Sequence, residues 1–240
     1  RRQALAMTLN FPKFDFGWKI LGAIFSSQGK KRDSIAAYRR CLELNPDESE
    51  AQNNLGVAFQ ELSRLQDAKT CYYKAIASNP TYLIAYFNLG NTLNELGELE
   101  DAELNYRKAV ELKPDFVEGH FNLGTVLLSL GKFREAQASM KKVILLSPNY
   151  FNAYNELGVI LEKLYLYEDA EKNYKKAIKL QPSFFEAYNN LGVTLQKLGK
   201  LPEAEKTFNE AIKLSSKSYE AYNNLGVTQQ KTGKFQEAKE

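Results

Sequence analysis

A six-residue phrase returns along this chain every 34 residues, with no insertion or deletion. Ala187-Tyr188-Asn189-Asn190-Leu191-Gly192 recurs as Ala221-Tyr222-Asn223-Asn224-Leu225-Gly226. Earlier forms start at Ala51, Ala85, Gly119 and Ala153, and a divergent one at Gly17. A strict period of this length is the mark of a helix-turn-helix solenoid. Such a chain has no single closed core. Each unit carries apolar faces that only stacking on its neighbours can bury.

With Asp15 as the first position, the units span 15–48, 49–82, 83–116, 117–150, 151–184 and 185–218. Residues 1–14 fit as the tail of a preceding unit, and 219–240 as a partial seventh. The chain then opens within one helix and ends within another, as expected of a piece of a longer array or larger protein. The punctuation gives two helices per unit. Pro46, Pro80, Pro114, Pro148 and Pro182 stand where the second helix must stop, with Ser216 in the sixth unit. The residues that follow them (Asp47, Thr81, Asp115, Asn149 and Ser183) are N-cap types. Glu50, Glu118 and Glu186 lie three further on and predict capping boxes. Gly29, Gly97, Gly131, Gly199 and Gly233 predict left-handed C-caps of the first helix. Ser63 and Tyr165 replace that glycine, so their turns are expected to be the least regular. An acid opens every second helix, from Asp33 to Glu237, at the positive end of the helix dipole.

Seven further glycines, from Gly22 to Gly226, lie inside the first helix. Each costs about 1 kcal/mol against alanine, so the repetition implies a steric need. The expected partners are the small residues of the second helix: Ser34, Ala68, Ala102, Ala136, Ala170, Ala204 and Ala238. The leucines of the Leu-Gly pairs and Tyr38, Tyr72, Tyr106, Met140, Tyr174 and Phe208 are the expected core.

Charge and chemistry narrow the function. The net charge is only +3, and the third unit holds three basic against seven acidic residues. The basic footprint of a nucleic-acid binder is missing, so no nucleic-acid partner is expected. The apolar runs are far short of a membrane span, so no membrane partner is expected either. Cys41 and Cys71 have no metal-like spacing and mildly favour a reducing, cytoplasmic compartment. Cys41 reads as a small buried residue, and Cys71 as partly exposed. His120 is the one histidine and replaces an aromatic of the core, which leaves no metal site or nucleophile–base pair. No cofactor and no catalytic residues are expected. The run Glu168-Asp169-Ala170-Glu171-Lys172 reads as a solvated face.

In the fifth unit the pattern is Tyr154, Leu157, Gly158, Leu161, Ala170, Tyr174, Ala177, Pro182. It resembles the tetratricopeptide repeat family over essentially the whole chain. The resemblance implies antiparallel helix pairs in a right-handed superhelix whose concave groove binds other proteins. The recurrent Asn-Leu-Gly is similar to the repeat arm of O-linked N-acetylglucosamine transferases and related bacterial proteins, in which a ladder of asparagines grips extended polypeptide. The matching residues are Asn54, Asn88, Asn122, Asn190 and Asn224, with Ile20 and Glu156 as breaks. The carboxylate clamp of chaperone-binding relatives is not matched, since only Lys19 and Asn54 fall in register.

Asparagine is a mediocre helix former, so its mid-helix recurrence calls for a reason. It could tie adjacent units together, or also hold a peptide backbone through an amide that both donates and accepts. Glu61 and Glu95 share one groove register with Lys163, Lys197 and Lys231, so acids precede lysines along it. The leading expectation is a non-catalytic scaffold that binds an extended peptide or partner protein. The alternative is the substrate-recruiting arm of a transferase whose catalytic domain lies outside this chain. Self-association through the exposed terminal repeats is a third.

Overall fold

The structure, a computed structural model, describes residues 8–233. Between Asp15 and Lys231 it is a succession of helices. These are α1 (Asp15–Ser27), α2 (Lys31–Leu44), α3 (Ser49–Gln60), α4 (Leu65–Ser78), α5 (Leu83–Glu95), α6 (Leu99–Leu112) and α7 (Val117–Ser129). They continue as α8 (Phe133–Leu146), α9 (Phe151–Lys163), α10 (Tyr167–Leu180), α11 (Phe185–Lys197), α12 (Leu201–Leu214) and α13 (Tyr219–Lys231). Two compact units divide the chain, Arg1–Asn122 and Leu123–Glu240.

In the first unit α1 pairs with α2, α3 with α4 and α5 with α6, and the first two pairs then pack on the helix that follows, α2 on α3 and α4 on α5. In the second unit α9 pairs with α10 and α11 with α12, with the same forward packing. Within each unit the first helices also touch one another, α1 with α3 and α3 with α5, and α9 with α11 and α11 with α13. One side of each unit is therefore a wall of adjacent first helices.

Leu21, Leu55 and Leu89 in the first unit and Leu157 and Leu191 in the second are buried, as are Tyr38, Tyr72, Tyr106, Met140, Tyr174 and Phe208. An added Cβ at the in-helix glycines from Gly22 to Gly192 would meet those large side chains rather than the small residues expected from the sequence, although Ser34 Oγ does donate to Gly22 O at 3.0 Å. A Cβ on Gly56 would stand 2.6 Å from Cε1 of Tyr72, and one on Gly158 would stand 2.5 Å from Cε1 of Tyr174. The glycine makes room for the edge of an aromatic ring. The small residues four positions earlier, Ala68 and Ala170, are buried too.

The helix starts also differ from expectation. First helices begin at Ser49, Leu83, Phe151 and Phe185, and the N-cap residues are Glu48, Tyr82, Tyr150 and Phe184. Asp47, Thr81, Asn149 and Ser183 lie one residue too early to cap. They are spent in tight turns, with Glu48 N–H donating to Asn45 O and Tyr82 N–H to Asn79 O. The capping boxes from Glu50 and Glu186 therefore do not form. The side chain of Glu48 caps Ala51 N–H, and Ser218 caps Ala221 N–H. Elsewhere aromatic packing takes the place of a cap, as Phe184 meets Phe151 edge-on at 5.0 Å.

The two turns without glycine are as regular as the others. Ser63 has φ 57° and Tyr165 φ 60°, close to Gly29 at 69°. Ser63 N–H donates to Gln60 O and Arg64 N–H to Phe59 O, the bonds that Gly97 and Glu98 make to Asn94 and Leu93. The paired bonds of the helix end override the residue's reluctance to turn left-handed. An acid lies in the first turn of α2, α4, α6, α8, α10 and α12, while Glu237 lies outside the described residues.

Candidate first-helix face and its amide ladder

The ladder asparagines lie half-buried on the first helices. Their amide nitrogens reach into the preceding repeat. Asn88 Nδ2 donates to Asn53 Oδ1 at 3.0 Å and Asn122 Nδ2 to Asn91 Oδ1 at 2.9 Å. In the second unit Asn190 Nδ2 donates to Asn155 Oδ1 at 3.1 Å and Asn224 Nδ2 to Asn189 Oδ1 at 3.2 Å. Asn54 instead accepts from Asn53 Nδ2. The acceptors Asn53, Asn155 and Asn189 are buried, at 3–5% exposure. The sequence signals them only in part: in Asn189-Asn190 the first member is the buried acceptor and the second the donor to the repeat before, whereas Asn155 is followed by Glu156.

The end of each first helix adds a second tie. Gln60 accepts from the Tyr72 hydroxyl and donates Nε2 to Glu95 Oε1 at 2.8 Å. Glu162, at the equivalent position, accepts from the Tyr174 hydroxyl at 3.1 Å and from Thr194 Oγ1 at 2.5 Å. Lys197 Nζ closes on its other oxygen at 2.5 Å. Burial, helped by the Glu162 carboxylate, pushes the Tyr174 phenol far above its ordinary range, so it remains a neutral donor.

Glu61 is exposed and pairs with Lys31 at 3.4 Å. Glu95, Lys163, Lys197 and Lys231 are exposed as well. Glu95 and Lys197 are thus engaged by their neighbours within the array. In the second unit Asn189, Asn190, Glu162, Lys163, Lys197 and Glu220, with Val159 and Val193, line a recess of about 270 Å³. A larger recess of about 450 Å³ lies off this wall, between α2 and α4, over Phe59. Arg39 and Arg64 lie against that ring.

His120 takes a structural place, though not the one expected. Its Nε2 lies 3.1 Å from Pro114 O, a carbonyl that can only accept, so this nitrogen carries the proton. Trp18 donates in the same way to Pro12 O, Gln52 to Pro46 O, Tyr86 to Pro80 O and Tyr154 to Pro148 O. The position selects a donor at the side-chain tip rather than an aromatic ring. Cys71 is buried, contrary to expectation, and so is Cys41, and burial pushes both thiols up to about 11. Glu171 is also buried rather than solvated, between Lys175 at 2.5 Å and Lys200 at 2.8 Å. Among the described residues no group of three or more His, Cys, Asp or Glu could hold a metal ion. No helix there is long and apolar enough to cross a membrane.

Family models described as TPR repeat match residues 90–131 and 167–199. Models described as tetratricopeptide repeat match 21–81, 71–103, 117–150, 185–218 and 207–240. The chain belongs to the tetratricopeptide repeat family. No curated protein matches the sequence. Solved structures agree on the fold. A tetratricopeptide repeat protein from Parabacteroides merdae superposes with TM-score 0.74 at 17% identity, covering 93% of this chain and 88% of that one. YrrB, described as a TPR protein with an unusual peptide-binding site, gives 0.71 at 23% identity over 77% of this chain and 95% of its own. MamA gives 0.65 at 25% identity over 68% of this chain and 95% of its own. This tetratricopeptide repeat protein is accordingly an all-α helical solenoid of the protein-interaction type.

Proposed function

We propose that the first-helix wall of each unit holds an extended segment of a partner protein, with the amide ladder as its main polar contact. The observation that carries the reading is the fixing of four of the five ladder amides. One N–H of Asn88, Asn122, Asn190 and Asn224 is tied to the neighbouring repeat. An amide held in place before binding loses little entropy when a ligand arrives. Each NH₂ still has a second hydrogen to give, and the oxygen a lone pair to offer. A backbone can be held this way whatever its side chains. In the second unit the exposed Lys163 lines the same recess as Asn190 and adds charge selection to it.

The ladder is also structural, so alanine substitution alone cannot separate the two roles. The separating experiment compares Asn190→Ala with Asn155→Ala. Both remove the same hydrogen bond, but Asn155 is buried and only Asn190 reaches the wall surface. Affinity for peptides selected from a displayed random library should fall much further in Asn190→Ala, at a temperature where both variants are folded. Equal losses would reduce the ladder to a tie between repeats.

A further inference from the structure

Glu156 is the one ionisable residue at a ladder position that otherwise holds Asn54, Asn88, Asn122, Asn190 and Asn224, or Ile20. It lies half-buried on α9 and accepts from Asn155 Nδ2 at a long 3.3 Å. Glu162, six residues along the same helix, shows what this array does with a carboxylate that it needs for itself. Glu162 receives a lysine and two hydroxyls. Glu156 has no lysine, arginine or histidine within ion-pairing distance among the described residues, and burial raises the pKa of its carboxyl. A carboxylate that is partly desolvated and without a counter-charge is unfavourable in the free protein. It becomes favourable when a cation arrives from outside and adds a charge-assisted hydrogen bond.

We propose that Glu156 is the specificity-determining residue of the wall and seats a lysine or arginine side chain of the bound segment. The proposal rests on the peptide-binding reading above. Within the same unit the amide of Asn190 fixes the backbone without regard to sequence, and the carboxylate selects one basic side chain in that register. Charge complementarity favours a basic side chain over an acidic or apolar one. An acid there would place two like charges together, and an apolar residue would desolvate the carboxylate further.

The test uses the full chain and a displayed library of random peptides. Selection on the unaltered protein should enrich peptides with Lys or Arg at one fixed position. Resynthesis with norleucine at that position should weaken binding about tenfold on the unaltered protein, the usual weight of a hydrogen bond to a charged group. The same change should alter binding less than about twofold on Glu156→Gln and on Glu156→Asn, where no charge is left to discriminate. Glu156→Asn restores the residue of the other ladder sites, so folding is not at stake. An equal norleucine loss on all three proteins, or selected peptides without a basic residue, overturns the proposal while the peptide-binding reading stands. Failure of all three proteins to select any peptide overturns both.

Discussion

The two units present the same scaffold and opposite wall chemistry. In Arg1–Asn122 the amide of Gln60 donates to an acid of the next repeat, Glu95. In Leu123–Glu240 the acid Glu162 receives a lysine of the next repeat, Lys197. Both pairs occupy the same two repeat positions, and both Gln60 and Glu162 also accept from the core tyrosine of their own repeat. The backbone thus provides a tie point between repeats without specifying which side carries the charge. One unit ends its wall in carboxylates, the other in ammonium groups. A solenoid can therefore vary the electrostatics of a binding surface while its core and glycine contacts stay constant.

The largest expected effect comes from breaking the charged tie. Glu162→Ala leaves the Tyr174 and Thr194 hydroxyls and Lys197 without their shared acceptor and should destabilise by about 2–3 kcal/mol in urea unfolding. Gln60→Ala removes a neutral acceptor and should cost about 1 kcal/mol. Equal losses would mean that the two ties do not differ in kind.

Next come the glycines, which test the shared scaffold. Gly56→Ala in one unit and Gly158→Ala in the other should each destabilise by about 1–3 kcal/mol, because a tyrosine ring must leave its place. Gly124→Ala should cost less, since the neighbour is the flexible end of Met140, 2.8 Å from the added carbon. Thermal melts of the three variants check the order.

A smaller effect of opposite sign is expected at the left-handed turns. Ser63→Gly and Tyr165→Gly relieve a strain of about 1 kcal/mol, offset in part by the greater freedom of glycine in the unfolded chain. Each should raise the melting temperature slightly, with the larger gain at Ser63. Tyr165→Gly also gives up the Tyr165–Tyr167 ring contact at 6.3 Å. A drop at both sites would show that the turns are not strained.

The smallest effect separates two acids of the second unit by pH. Burial raises the pKa of Glu156, so its folded value lies above the unfolded one and ionisation opposes folding. Glu156→Gln should be more stable than the unaltered protein at neutral pH, and that gain should vanish as pH falls through the raised pKa. Burial also pushes Glu171 upward, but the bonds from Lys175 and Lys200 outweigh it and the net shift is downward. Its stabilisation is present at neutral pH and lost on acidification through that lowered pKa. Urea unfolding of Glu156→Gln and Glu171→Gln against pH should give curves of opposite slope. Parallel curves would remove the distinction.

The sequence determined a good deal by itself, because a fixed period carries redundant information. Pro46 to Pro182, the Leu-Gly pairs and the buried tyrosines are visible in one dimension since each is a local demand on the backbone or a face. The tertiary structure decided which atom of one element meets which atom of another. The ring edge against Gly158, the turn that uses up Asp47 before it can cap, and the buried Asn53, Asn155 and Asn189 behind the ladder all depend on a distance between helices. So does the chemistry of the wall, since Glu162 and Glu156 are the same residue on the same helix. One is saturated by a lysine from the next repeat and the other is left without a counter-charge, and only their surroundings distinguish them.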